Sequence, residues 1–149
     1  MYLKFVKSWK KNIFCAICNQ QIYCCLSHLI FKDESYEIIG ICMEVHKELG
    51  HGFLEVVYQD ALEYEFKRQN IPYVREKAYQ IQYKELIMPY KFYADFEVFD
   101  NIILEIKAVS HIIDEHLAQT LNYLALSKHK LGLIINFGQT SLIHKRVVL

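Results

Sequence analysis

Tyr93-Ala94-Asp95-Phe96-Glu97-Val98-Phe99-Asp100-Asn101-Ile102-Ile103-Leu104-Glu105-Ile106-Lys107-Ala108 is the stretch whose reading decides the fold. Even positions Phe92, Ala94, Phe96 and Val98 are apolar, and so are Ile102, Leu104, Ile106 and Ala108. Odd positions Lys91, Tyr93, Asp95, Glu97, Glu105 and Lys107 are polar or amphipathic, with Ile103 the exception. Period-two alternation marks strands with one buried face. The connection must keep even residues opposite even residues. A two-residue turn at Asp100-Asn101 puts the faces out of phase. A loop of Phe99, Asp100 and Asn101 pairs Val98 with Ile102 and Asp95 with Glu105. Asn101 then suits the left-handed position of such a loop. A one-residue slip would lose the buried face and the facing carboxylates together.

Two carboxylates and an ammonium on paired strands can bind a divalent cation and activate a water, which is the chemistry of phosphodiester hydrolysis. Composition sets the frame. A chain of 149 residues, 53% hydrophobic and 14% aromatic, suits one domain with a sizeable core. Basic and acidic residues balance at 17 each, which argues against a tight, nonspecific nucleic-acid binder, normally a basic protein. A nuclease stays open, because bound metal offsets carboxylates locally.

Residues 1–32 differ in character. They contain no acidic residue and four of the five cysteines, Cys15, Cys18, Cys24 and Cys25. A signal sequence would use Lys4, Lys7, Lys10 and Lys11 as its basic region and Ile13 to Cys18 as its apolar one. Asn19-Gln20-Gln21 interrupts that run, and no small-x-small cleavage site follows. A zinc site at Cys15-x-x-Cys18 with Cys24 or Cys25 is cramped. The favoured reading is a poorly specified extension, such as an upstream start codon would add. Cys42 alone gives no disulfide framework, and no run of ~20 apolar residues could span a membrane. A cytoplasmic location is expected.

From Asp33 onward the chain is well organised. Asp33 or Ser35 can cap a helix to about Leu49, with Ile38, Ile41, Cys42, Val45 and Leu49 at helical spacing. Gly50 ends it. A second helix runs from about Leu54 to Gln69 and is stopped by Asn70 and Pro72. Strands are expected at Tyr73–Glu76, Ala78–Tyr83 and Ile87–Val98, a third helix at Asp114–Ser127, and closing strands at Leu131–Phe137 and Leu142–Val148. Leu131 to Ile135 is apolar but for Gly132, as in a strand covered on both faces. This order predicts an α/β or α+β layered domain over 33–149, a mixed sheet with helices packed on it.

Gly52-Phe53-Leu54-Glu55-Val56-Val57-Tyr58 matches G-x-x-E-x-x-Y. With D…ExK at Asp95, Glu105 and Lys107, and Q-x-x-x-Y at Gln119 and Tyr123, the region from Lys32 to Leu149 resembles the GxxExxY family of the PD-(D/E)XK nuclease superfamily. The resemblance implies a restriction-endonuclease-like fold and a metal-dependent nuclease, acting on DNA in repair, recombination or defence, with room for a protein partner that gives specificity. It implies Asp95 and Glu105 as ligands of Mg²⁺ or Mn²⁺, with the main-chain carbonyl of Ile106 as a further ligand. Lys107 would orient or deprotonate the attacking water and stabilise charge on phosphate. Glu55 would hold a second metal or a metal-bound water, with Tyr58 supporting it. Gln119 and Tyr123 would contact substrate or a catalytic carboxylate. The superfamily's usual proline before the aspartate is Ala94 here.

Each residue also has a plainer reading. Asp95 and Glu105 can be a solvated strand face, although directly opposed carboxylates repel by up to ~1 kcal/mol. Glu55 can simply complement a helix N-terminus. Tyr58 can be a core aromatic with a satisfied hydroxyl. His46 or His51 can add a metal ligand or lie on the surface. Glu97 is an accessory candidate, and Lys128, Lys130, Lys145 and Arg146 are candidate phosphate contacts or solvated charge. The alternative function is an inactive nuclease-fold domain that binds nucleic acid or a protein without cleaving.

Overall fold

The computed structural model describes residues 30–149. The N-terminal cysteines, and the signal, zinc and extension readings that rest on residues 1–29, lie outside the described residues. The chain runs α1 (Lys32–Leu49), α2 (Glu55–Arg68), β1 (Tyr73–Tyr83), β2 (Leu86–Val98), β3 (Ile102–Lys107), α3 (Asp114–Ser127), β4 (Leu131–Asn136) and β5 (Ile143–Val148). The five strands form one sheet in the order β1-β2-β3-β4-β5. Only β3 and β4 are parallel, because α3 carries the chain across the sheet between them. The expected α/β mixed sheet with helices is the fold observed.

Helices cover both faces. Ile38, Ile41, Cys42 and Val45 of α1 and Tyr58, Leu62 and Phe66 of α2 form one core with Phe96, Val98, Ile102, Leu104, Ile106, Leu133 and Ile135. Tyr123 and Leu124 of α3 form the other with Tyr79, Ala94, Ile103, Ile134 and Val147. This double cover explains why β4 is buried at every residue and why Ile103 breaks the expected alternation. Side-chain capping of α1 by Asp33 or Ser35 is not found. The N-cap is Phe31, without a side-chain hydrogen bond, and the Ser35 hydroxyl donates back to Phe31 O at 2.5 Å. Gly50 ends the helix as expected, at φ 70° with its N–H on His46 O at 2.8 Å.

The hairpin register is the one derived from alternation: Val98 faces Ile102 and Phe96 faces Leu104. The left-handed residues are Phe99 (φ 54°) and Asp100 (φ 56°), not Asn101. Asn101 N–H closes on Val98 O at 3.3 Å, which makes Phe99 and Asp100 the central pair of a primed turn, where φ must be positive at both. The Asn101 side chain instead holds Phe99 O at 2.9 Å.

Strict alternation fails near the middle of the site-bearing half of β2. Phe96 and Val98 pack under α1 and α2, whereas Ala94 packs under α3. The two faces exchange at Asp95. Across the sheet, β1 is continuous rather than split into two strands, but Glu76, between Arg75↔Phe96 and Lys77↔Ala94, has φ 51°. An irregularity of this kind re-aims a side chain within a strand.

Candidate functional site

β2 pairs with β1 along most of its length, but with β3 only from Phe96 to Val98. The strands part at Asp95 and Glu105. The Asp95 side chain fills the gap: Oδ2 accepts Ile106 N–H at 2.7 Å. Glu105 reaches back, with Oε1 3.4 Å from Asp95 N and Oε2 3.5 Å from Lys107 Nζ. The expected trio therefore meets where the two strands diverge.

The electrostatics of the pair are unfavourable without a cation. Burial, the Asp95 charge next, pushes the Glu105 carboxyl up to about 8, against the opposing pull of Lys107 and Asp95 N–H. Asp95 is also raised, first by burial and further by Glu55, while Ile106 N–H and Lys107 oppose the shift. Buried acids behave this way when the charged form lacks solvation.

Glu55 opens α2 and its Oε1 accepts Ala108 N–H at 3.1 Å, just beyond Lys107. One turn on, Gln59 donates from Nε2 to Asp95 Oδ1 at 3.0 Å. Sequence reasoning missed Gln59. The available signal was its i+4 spacing from Glu55, which puts both on one helix face. The Tyr58 hydroxyl bonds the loop before α2 rather than Glu55 itself: it donates to Gly50 O at 3.0 Å and accepts Phe53 N–H at 3.2 Å. Fully buried and stacked on Phe137 at 4.4 Å, it fixes the loop that presents Glu55. Gln119 Nε2 donates to Tyr123 OH at 3.1 Å, and that hydroxyl donates to Tyr93 O at 2.9 Å, two residues before Asp95.

A second missed feature holds the end of β3. Phe137 N–H donates to Lys107 O at 2.7 Å. Asn136, fully buried, accepts Val109 N–H at 3.0 Å and Gly138 N–H at 3.0 Å, and donates to Val109 O at 2.8 Å. A Cβ at Gly138 would lie inside contact distance of Val109 and Ala108 backbone atoms, so the close approach needs glycine.

Other candidates lie elsewhere. His46 Nε2 pairs with Gln139 O at 2.9 Å. Glu97 is on the α3 side, not beside Asp95, because the faces exchange between them. It accepts from Tyr79 OH, sits 2.9 Å from His129 Nε2 and 3.4 Å from Lys77 Nζ. Burial favours its neutral form, but these partners together hold the carboxyl below its ordinary value. The Arg146 guanidinium donates to Ile30 O at 2.5 Å, so it is occupied within the fold.

The sequence model described as the PD-(D/E)XK nuclease superfamily matches residues 32–147. The chain belongs to the PD-(D/E)XK nuclease superfamily. Among solved structures it is similar to the one titled "Crystal structure of SSO0001", with a TM-score of 0.53 and 18% identity, over 79% of this chain and 59% of that one. At that identity the likeness speaks for the fold alone, and the chain spans less than two thirds of its length. A search of curated proteins returns no match.

Members of this superfamily typically use divalent metals, so the donor set can be tested for fit. Among the described residues, no three His, Cys, Asp or Glu side chains form a cage of their own. Two neighbouring carboxylates, both raised chiefly by burial and Glu105 further by the Asp95 charge, fit a hard cation that completes its shell with water and phosphate. Among the described residues, no helix is long and apolar enough to cross a membrane.

Proposed function

We propose that this chain is a Mg²⁺- or Mn²⁺-dependent phosphodiesterase of the GxxExxY type, formed by residues 33–149, that cleaves DNA in repair, recombination or defence. The observation that carries the reading is the convergence of half-buried Asp95 and buried Glu105 with Lys107, 3.5 Å from Glu105, at the point where β2 and β3 part. A fold needs no such trio for stability, since neighbouring acids withdrawn from solvent cost energy unless a cation joins them.

Asp95 and Glu105 would hold the metal. The Ile106 carbonyl would join them, because the N–H and C=O of one strand residue point to the same neighbour and its N–H meets Asp95. A bound metal supplies Lewis-acid polarisation and lowers a water's pKa. Ile106 N–H and Gln59 fix the Asp95 carboxylate, so its remaining lone pairs are aimed. Lys107 would position the water and offset charge growing on the phosphate oxygens. The water oxygen bonds to phosphorus as the ester P–O bond breaks, the attacking water releases one proton to solvent, and the departing oxygen takes one up from solvent. Glu55 would anchor the Lys107 strand end through Ala108 N–H and turn its second oxygen to a metal-bound water or second metal. Gln119 and Tyr123 would act as a substrate-side support, the tyrosine through Tyr93.

The test is cleavage of DNA and RNA by purified protein in Mg²⁺ and in Mn²⁺. Activity should disappear in Lys107→Ala and in Asp95→Ala, with loss of at least two orders of magnitude, as for removal of a principal charge-stabilising group. Cleavage that persists in both variants sinks the reading. Binding of nucleic acid without cleavage in either metal would favour the inactive-domain alternative.

A further inference from the structure

The hairpin of β1 and β2 extends beyond the helices. Tyr79 and Ala94 are buried on its α3 side, with Phe92 packed against them. Residues next to these in the strands point the other way. They are Ala78, Gln80, Lys91 and Tyr93, and all four are exposed. The ladder pairs Ala78 with Tyr93 and Gln80 with Lys91, so they form one contiguous patch on two adjoining strands. No helix covers it. Tyr93 is 57% exposed and stands two residues from Asp95. Its backbone is fixed by the Tyr123 hydroxyl at 2.9 Å. Its cross-strand neighbour Ala78 carries only a methyl group. Lys91 forms no ion pair among the described residues, and Lys84 at the tip faces only the ring of Tyr83.

We propose that this open face is a platform for single-stranded nucleic acid, with a base stacked on Tyr93, the neighbouring phosphate on Lys91, and the chain leading to Asp95. The proposal rests on the nuclease reading for what happens at Asp95, but its binding claim stands separately. An exposed ring on a sheet gives base stacking that is tolerant of sequence and available only to unpaired bases. A duplex hides those bases and is bound through many phosphate contacts. A chain with zero net formal charge and one unpaired lysine on this patch suits the first mode. The free cation on the face complements a phosphate, and it argues against a second copy of the same face, which would set lysine near lysine.

The test is fluorescence anisotropy with short labelled deoxyoligonucleotides, single-stranded and duplex, on full-length protein in EDTA, and on the Lys107→Ala protein in Mg²⁺. Single strand should bind more tightly than duplex. Tyr93→Ala should weaken single-strand binding about 5- to 150-fold, the weight of one base–aromatic stack, and Tyr93→Phe should retain it. Lys91→Ala should lower the slope of log affinity against log salt by about 0.7. Tyr64→Ala, an exposed tyrosine on α2, should change nothing. Unchanged affinity in Tyr93→Ala, preference for duplex, or absence of binding overturns the platform. So does sedimentation showing a dimer that Tyr93→Ala dissociates. The two readings fail separately. Tyr93-dependent binding without cleavage by the wild type leaves the platform and removes the nuclease. Cleavage with KM untouched by Tyr93→Ala does the reverse.

Discussion

Gln59 shows how much a single uncharged side chain can matter here. Its amide holds Asp95 Oδ1 at 3.0 Å, while Ile106 N–H holds the other oxygen. Groups that orient a metal-binding carboxylate commonly carry 10- to 100-fold in affinity or rate. Gln59→Ala should therefore cut cleavage by about 10- to 100-fold and weaken metal binding in an isothermal titration, with little change in the denaturation midpoint. Glu105 makes the pH prediction. Its carboxyl is pushed up to about 8 in the fold, by burial first and Asp95 next, against an ordinary value of about 4.3 unfolded. Between these limits the folded chain binds more protons than the unfolded one, so stability falls as pH rises. Urea denaturation in EDTA at several pH values between about 5 and about 8.5 should show this fall. Glu105→Gln should flatten it, and Mg²⁺ should restore stability at high pH by binding the ionised pair.

At the scale of elements, the end of β3 is the part most exposed to a small error. Lys107 has no strand partner in β2, so its position depends on the Asn136 clasp, on Phe137 N–H and on Glu55. Gly138→Ala would drive a methyl into the Val109 and Ala108 backbone. That overpacking should cost about 1–3 kcal/mol in chemical denaturation, with cleavage falling beyond what the loss of folded protein explains. The hairpin's register was legible because period two admits only one loop length that buries Phe96, Val98, Ile102 and Leu104 together. The face exchange at Asp95 was not legible, because Ala94 and Phe96 are both apolar and so fit either face. Glu97 was misplaced for the same reason. The turn failed at Asn101 because a residue's liking for left-handed backbone is weaker than the strand twist that sets which turn positions need it.

In the whole molecule, one sheet carries two cores, and the site sits at the edge of the larger. Phe66 bridges α2 to that core, with Phe96 and Tyr73 rings each 5.6 Å away. Phe66→Ala should cost about 3–5 kcal/mol, read as a lowered urea midpoint. Part of the lost stability should return with saturating Mg²⁺, since α2 also delivers Glu55 and Gln59.

The sequence by itself determined the order of helices and strands, apart from the split expected in β1, the hairpin register and the meeting of Asp95, Glu105 and Lys107, because all of these follow from local periodicity and from residues close along the chain. Only the tertiary structure decided what surrounds that trio. Gln59 reaches Asp95 across 36 residues, Asn136 reaches Val109 across 27, and Tyr123 reaches Tyr93 across 30. Such contacts arise from how helices settle on a twisted sheet, and no period along the chain encodes which polar side chain will meet which backbone group.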